Sequence, residues 1–369
     1  MLYIPREELE KLCAGIFEAL GLSAEEARDS AEILVCADAR RIRSHGTARM
    51  KRYVDGLKAG LIKRNIEPRV VHETPISLVL DAQGAMGLSL SRRAMTAVIA
   101  KAKEHGIGVC SVRDSNHFGI AGYYSEMAAR EDMIGISMTN TAALGVPTFA
   151  REAAFGTNPI AFAAPALDGK LFSLDMATTT VTRGKIEVYQ REGKKLPQGW
   201  AVGIDGLVTV DPLSLLDDML HQRGGGLLPL GGEGELQGGY KGYGLGVLVD
   251  TLCAVASGGN FGRQVKDSEI TSARVCHFFM AMRLDLFRPA GDFKRDMSAM
   301  LEDLNSLKPA EGAGRVYYAG QKEQEAEAES RIRGIPLEGK VWETLISFAR
   351  EFNVPVPNIK SDIQYQPVS

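Results

Sequence analysis

Between residues 69 and 138 the chain alternates two kinds of apolar pattern. Val70-Val71 and Ile76 to Leu80 are β-type runs. A turn from Gly84 to Gly87 leads into a helical pattern over 89–104, closed by Gly106. A β-type run over 107–112, a helical pattern over 121–131 and a β-type run from Ile134 to Met138 follow. Strand and helix in alternation require a layered α/β architecture with a mixed sheet. Ile160 to Ala164, Leu171 to Leu174 and His277 to Met282 predict further strands. The expected fold class is therefore mixed α/β (α+β). A Rossmann fold is not expected, because no GxGxxG follows the first strand of a βαβ unit. No GxxxxGK[ST] loop is present either.

Helical patterns flank this core. Residues 5–20 read as an amphipathic helix stopped by Gly21. Ser23 and Glu26 form a capping box for a helix over 24–40, and 47–59 continues as helix to Gly60. Late helices are expected over 292–305, 321–332 and 338–352, the middle one a solvated Glu/Ala/Gln run. We expect residues 1–68 and 292–369 to form a helical domain, and 69–291 to form the mixed-sheet domain. Residues 178–206 carry a basic helix-like segment, and 211–226 read as the least ordered stretch.

Charge and cysteine usage narrow the function classes. The net charge is −3 with no basic block, which disfavours a nucleic-acid partner. No apolar run approaches the length of a membrane span. Five well-separated cysteines without a CxxC suggest buried, reduced thiols and a cytoplasmic setting, as does the lack of a signal-peptide pattern. HxxxH, HExxH and carboxylate clusters are absent, so no metal site is expected.

Chemistry-bearing residues cluster at strand ends. The run Arg113 to Tyr124 contains Asn116-His117-Phe118-Gly119, where the chain leaves a strand. Such junctions commonly hold ligand groups, although Asp114, Ser115 and Asn116 would also serve as helix caps. Ser44-His45-Gly46 precedes Arg49. A helix there would put His45 and Arg49 on one face, where Arg clamps a carboxylate and His moves a proton. A solvated, capped helix explains the same residues. Thr139-Asn140-Thr141 ends one strand and Asp175-Met176-Ala177 another. Asp175 suits either orienting a histidine or capping a helix. Gly238-Gly239-Tyr240-Lys241-Gly242-Tyr243-Gly244 reads as a glycine-rich loop opening an apolar helix over 245–256. Free N–H groups, the helix dipole and one ammonium would make it an anion cradle; a flexible loop is the other reading. His72, His105, His221 and His277 are expected to lack polar company and read as surface or packing residues.

Together these motifs resemble the malate/L-lactate dehydrogenase family of the non-Rossmann type, which also holds sulfolactate, ureidoglycolate and diketogulonate dehydrogenases. The likeness runs over nearly the whole chain. It rests on Ser44-His45-Gly46 with Arg49, Asn116-His117-Phe118-Gly119, Gly156-Thr157-Asn158-Pro159, Asp175-Met176-Ala177-Thr178 and Lys241-Gly242-Tyr243-Gly244. Gly184 to Tyr189, Leu227 to Gly232 and Val275 to Met280 look most like the archaeal-type malate dehydrogenase branch. The resemblance implies NAD(P)-dependent interconversion of a 2-hydroxy acid and a 2-oxo acid, L-malate/oxaloacetate or L-lactate/pyruvate. It implies a distinctive cofactor-binding sheet and a homodimer with sites near the interface. His117 and His45 match the acid/base positions, Ser44 and Asp175 match a relay of one branch, and Arg49 matches the substrate-carboxylate clamp. His117, Phe118, Gly119, Thr141, Asp175, Met176, Lys241 and Gly242 match contacts to NAD or NADP.

Three departures stand out. Arg41 occupies a position that is usually Gly in the family, Phe149-Ala150 replace a Gly-Gly, and Ala319-Gly320-Gln321 replace Pro-Gly-Glu. Sulfolactate, ureidoglycolate or cyclic-imine substrates remain alternatives within the family. A catalytically inactive cofactor-binding module is the alternative outside it, and the presence of both His45 and His117 weighs against that.

Overall fold

A computed structural model describes residues 1–266 and 272–357; the last part of the expected C-terminal segment, 358–369, lies outside the described residues. In chain order, β1 (Leu2–Ile4), α1 (Arg6–Ala19), α2 (Ala24–Ala39) and α3 (Met50–Lys58) come first. Then follow β2 (Arg69–Glu73), β3 (Ser77–Asp81), α4 (Gly87–His105), β4 (Ile107–Ser115), α5 (Ala121–Ala129) and β5 (Met133–Thr139). Next are β6 (Ile160–Pro165), β7 (Leu171–Met176), α6 (Arg183–Arg191), β8 (Ala201–Val202), α7 (Pro212–Leu220), β9 (Gly226–Leu227) and α8 (Gly239–Asp250). The chain closes with β10 (Val275–Arg283), α9 (Ala290–Ser306), α10 (Gln321–Arg333), β11 (Ile335–Leu337) and α11 (Gly339–Glu351).

Among the described residues the main sheet has seven strands in the order β2-β3-β4-β10-β5-β6-β7. Only β3 and β4, joined across α4, pair in parallel; the other neighbours are antiparallel. The sheet is thus mixed, as the alternating pattern implies, and β10 is a late strand inserted between β4 and β5. Side chains alternate across β10. Phe279 and Ala281 join the core beneath α1, α2, α4 and α5, while Cys276 and Phe278 join Val249 and Cys253 beneath α8. All five cysteines are buried and unpaired. β1 pairs with β11, bringing the first and last strands together.

Strand directions have one consequence for function. β3, β4, β5 and β7 end on the same edge of the sheet at which β10 and β6 begin. That rim therefore collects Asn116-His117, Thr139 to Thr141, Gly156 to Pro159, Asp175-Met176 and the start of β10.

Several sequence expectations change. Residues 211–226 are not irregular throughout: α7 spans Pro212–Leu220, with the Asp211 side chain accepting from the Leu213 N–H and Pro212 at the first helical position. An Asp-Pro pair is a helix start signal that composition obscured. α8 begins at Gly239, so the Lys241 segment is helix rather than loop. The capping box of α2 is only half formed. Ser23 Oγ accepts from the Glu26 N–H, but the Ser23 N–H donates to Asn65 Oδ1 and Glu26 accepts from the Asn65 N–H. α10 is not wholly solvated: Glu327 and Ser330 are buried. There Arg40 donates to both oxygens of Glu126, at 2.8 and 2.6 Å, and to Glu327 at 2.9 Å. Ser173 Oγ completes the cluster on Glu126. This buried ionic cluster ties α2, α5, α10 and β7 together; breaking one member would strand a desolvated charge.

Candidate active site

The site grows from the turn after α2. Arg41 has a left-handed backbone, φ +64°, and its N–H and that of Ile42 return to Asp38 O and Ala37 O. This is a helix-ending geometry that favours glycine. Residues 43–45 and 47–49 then form two short 3₁₀ turns broken at Gly46, whose ψ is −153°. His45 and Arg49 are therefore not on one continuous helix. Buried Asp38 props up the turn: it accepts from the Thr47 N–H at 2.8 Å and from Thr47 Oγ1 at 2.6 Å. A Cβ on Gly46 would lie 2.0 Å from Asp38 Oδ1, so only glycine fits. Burial pushes the Asp38 carboxyl up to about 6. Asp38 sits in an apolar helix, and its propping role was visible only once the turn folded back on it.

This kinked turn brings His45 against His117. Their rings stack with centroids 5.6 Å apart and planes 19° from parallel. Ser44 Oγ lies 2.9 Å from His45 Nδ1, and Arg49 Nε donates to Ser44 O at 2.7 Å. Among the described residues no carboxylate pairs with Arg49. β4 runs through Ser115, so residues 113–115 are strand and not the cap of α5. Asn116 is buried and donates to Gly84 O and Ala85 O, both at 2.9 Å, which fixes where the chain turns out of the sheet. His117 follows. Its Nδ1 is 2.7 Å from Tyr53 Oη and accepts from the Gly119 N–H at 3.3 Å; Nε2 takes no hydrogen-bond partner among the described residues. Tyr53, fully buried on α3, is a functional candidate that the sequence did not single out. Its spacing of four from Arg49 is the signal that could have found it.

Both histidines are held toward their neutral forms. Burial, then Arg49, lowers His45 to about 4. Burial lowers His117 well below the ordinary range, and the charges of His45, Arg52, Arg49 and His277 add to the effect.

Asp175 stands apart from this pair. Its Oδ2 accepts from the Gly122 N–H in the first turn of α5 at 2.7 Å. It therefore caps a helix in space, not the one following it in sequence, and makes no hydrogen bond to Ser44 or His45. The side chain reaches solvent, yet the surrounding walls crowd it; that desolvation raises the carboxyl to about 6 despite the Gly122 bond.

Thr141 is knitted to the neighbouring loop: the Thr157 N–H donates to its Oγ1 at 2.9 Å, and its own N–H donates to Asn158 Oδ1. Asn140 and Asn158 both donate to Asp250 of α8, which locks the ends of β5 and the 156–159 loop to that helix. Phe118, expected at the cofactor, has its ring in the core, stacked on His277 at 4.6 Å. Met176, the last residue of β7, is partly exposed.

The glycine-rich segment is a poorer backbone cradle than its sequence suggests. The N–H groups of Gly239, Lys241 and Gly242 are already given to Gly234 O, Gly238 O and Leu230 O. Gly242 is required by close packing, since a Cβ would meet Leu230 N at 2.3 Å. What remains for an anion is the exposed ammonium of Lys241, which lies 5.8 Å over the Tyr240 ring and has no carboxylate partner among the described residues.

His277 is not without polar company: Nδ1 meets Thr139 Oγ1 and Nε2 meets Ser115 Oγ, each at 2.8 Å. His221 and His105 also have acidic neighbours, Asp217 and Glu104. No group of three or more metal-ligating side chains occurs among the described residues.

Residues 4–346 match the family model described as malate/L-lactate dehydrogenase. The chain is 43% identical over 352 residues to a malate dehydrogenase of Pyrococcus abyssi, covering 95% of each protein. It is 35% identical to an L-sulfolactate dehydrogenase of Methanocaldococcus jannaschii, covering 96% of this chain and 98% of the other. The structure superposes on a malate dehydrogenase of Entamoeba histolytica with a TM-score of 0.91 at 33% identity, covering 96% of this chain and 99% of that one. Matches of this extent and identity place the chain in the malate/L-lactate dehydrogenase family.

Proposed function

We propose that the rim catalyses NAD(P)-dependent interconversion of a 2-hydroxy acid and its 2-oxo acid, with L-malate and oxaloacetate as the preferred pair. One observation carries this reading. His117 is oriented through Nδ1 with Nε2 unpartnered, beside His45 and within the field of Arg49. The substrate carboxylate docks on Arg49 as a charge-assisted pair. His117 takes the hydroxyl proton when the acid is oxidised and returns it when the oxo acid is reduced. Arg49 contributes to the lowering of His117, so a bound carboxylate offsets part of that field and moves the ring back toward the working range. His45 stands against the His117 ring, and Ser44 Oγ holds His45 through Nδ1.

A bound nicotinamide cofactor supplies hydride transfer, and the protein supplies orientation and proton handling. The residues fit such a group through side-chain charge more than through backbone amides: Lys241 offers an unpaired ammonium to a phosphate. Gly119, Thr141, Asp175, Met176 and Gly242 are assigned to the cofactor surface, with NAD ahead of NADP. We also assign a cytoplasmic homodimer. Tyr240, Val247 and Leu248 on α8 and Val255 just beyond it are exposed apolar side chains, which supports association, and the five unpaired cysteines suit a reducing compartment.

The test is NAD(P)H absorbance decay with oxaloacetate, pyruvate, sulfopyruvate and a cyclic imine. Fastest decay with oxaloacetate is expected. Decay with pyruvate or the imine alone would replace malate with that substrate class, and no decay despite cofactor binding would favour an inactive binding module.

A further inference from the structure

We propose that Tyr53 is the positioning residue that selects the His117 tautomer with a free Nε2, so that the ring accepts the proton of the hydroxy acid and, as the imidazolium, returns it to the oxo acid. The inference rests on the assignment of His117 as proton carrier.

Two groups meet His117 Nδ1: the Gly119 N–H at 3.3 Å and Tyr53 Oη at 2.7 Å. A backbone N–H only donates, so on its own it holds Nδ1 as an acceptor and leaves the neutral ring protonated on Nε2. In that tautomer Nε2 has no lone pair, and the ring cannot accept a hydroxyl proton there. Acceptance requires the other tautomer, with the proton on Nδ1 and an acceptor facing it. Tyr53 Oη is the one atom in contact with Nδ1 that can both donate and accept. Its ring is fully buried and held edge-on against Phe17 at 6.3 Å, so the hydroxyl has little freedom to leave. With its O–H turned away from Nδ1, Tyr53 Oη presents a lone pair that stabilises the tautomer protonated on Nδ1. The ring reaches that tautomer by losing the Nε2 proton to solvent and gaining one from solvent at Nδ1, which leaves Nε2 free to act as a base.

The charges around His117 make tautomer, rather than net charge, the deciding variable. His45 in the turn before α3, Arg49 and Arg52 beside and on α3, and His277 on β10 all disfavour the imidazolium. The ring is therefore neutral in the absence of an anion. During oxidation the substrate O–H bond breaks and an Nε2–H bond forms, while Nδ1–H stays donated to Tyr53 Oη. The hydride on C2 leaves to the nicotinamide, the C–O bond becomes a carbonyl, and the imidazolium releases its proton to solvent. Reduction runs the same transfers backwards, so atoms and charge balance in both directions.

The experiment is Tyr53→Phe, which keeps the buried ring and removes only the hydroxyl. We expect kcat for hydroxy-acid oxidation to fall about 10²-fold, with KM for the oxo acid within about twofold of wild type. ¹⁵N NMR of histidine-labelled protein should show His117 locked with its proton on Nε2, whereas wild type shows both tautomers. In a His117→Ala background, Tyr53→Phe should cost nothing further, because the two act as a unit. A purely structural tyrosine would lower both backgrounds alike. If the variant melts early, the tautomer signal of the folded protein, read at low temperature, decides the matter. Wild-type turnover in His117→Ala would sink the proton-carrier assignment itself. Loss of turnover there, with Tyr53→Phe keeping wild-type kcat and both tautomers, would overturn this inference alone.

Discussion

His117 and His277 lie on the same rim, His277 stacked on the ring of Phe118 and His117 next to Phe118 in the chain, yet they are held in opposite ways. His277 has both ring nitrogens bridged, to Thr139 and Ser115, and lies wholly inside the sheet. His117 has one nitrogen held and the other unpartnered among the described residues, and its ring stacks on that of His45. Burial depresses both. The difference shows that a lowered histidine is not by itself a catalytic one: the satisfied ring is mortar between strands, and the half-satisfied ring is available to a substrate.

The largest effect should come from breaking the open side. His117→Ala is expected to lower kcat by about 10²–10⁴-fold while leaving the melting temperature close to wild type, as read by steady-state assay and calorimetry. Equal losses of stability and rate would erase the distinction from His277.

Breaking the closed side should do the reverse. His277→Ala leaves two buried hydroxyls without their partner and opens a space under Phe118. We expect about 2–4 kcal/mol of lost stability in a denaturant melt, with the residual folded enzyme still turning over. Unchanged stability would mean that the Thr139 and Ser115 bridges contribute nothing.

The two environments also predict a pH dependence. Burial pushes the folded His277 down to about 3 from its ordinary value of about 6.5. A histidine with a lowered folded pKa binds fewer protons folded than unfolded. Its stabilising contribution is therefore complete above about pH 6.5 and declines as pH falls from there toward 3, by roughly 1.4 kcal/mol per unit. His277→Phe should flatten part of that slope. A slope that His277→Phe leaves unchanged would assign it to other groups.

Arg49→Gln sharpens the substrate side: KM for oxaloacetate should rise about 10–100-fold through loss of a charge-assisted pair, with His277-dependent stability untouched. An unchanged KM would move the carboxylate clamp elsewhere.

The smallest effect lies outside both environments. Phe149 is 82% exposed and holds φ +69°, a left-handed backbone where the family pattern carries glycine. Phe149→Gly should raise stability by about 1 kcal/mol by relieving that conformation; a loss would show that the exposed ring makes a contact in solution.

Much of this was legible in the sequence. The α/β alternation gave the sheet, strand-end motifs pointed to His117 and Asp175, and the polar run after the second helix pointed to His45 and Arg49. What stayed hidden was set by tertiary contact. β10 enters between β4 and β5 from more than a hundred residues away, and only that pairing gives His277 its partners. Tyr53 was not singled out, because only the packing of α3 places its hydroxyl against His117. The Gly238–Gly244 run suggested a loop because glycine disfavours helix. Its helix forms nonetheless, since Gly242 and Gly246 allow it to pack against Leu230 and Phe155. Arg41 and Phe149 departed from the family pattern for no visible reason; the backbone shows that both occupy left-handed positions.

The central claim is that His117, and not His45, carries the proton. The most direct test compares kcat–pH profiles of His45→Ala and His117→Ala with L-malate as substrate. The account predicts that His45→Ala is slower but keeps the acidic limb of the profile, whereas His117→Ala loses that limb along with most of the rate. A His117→Ala enzyme that retains the limb, paired with a His45→Ala enzyme that lacks it, would contradict the account and reverse the roles of the two rings.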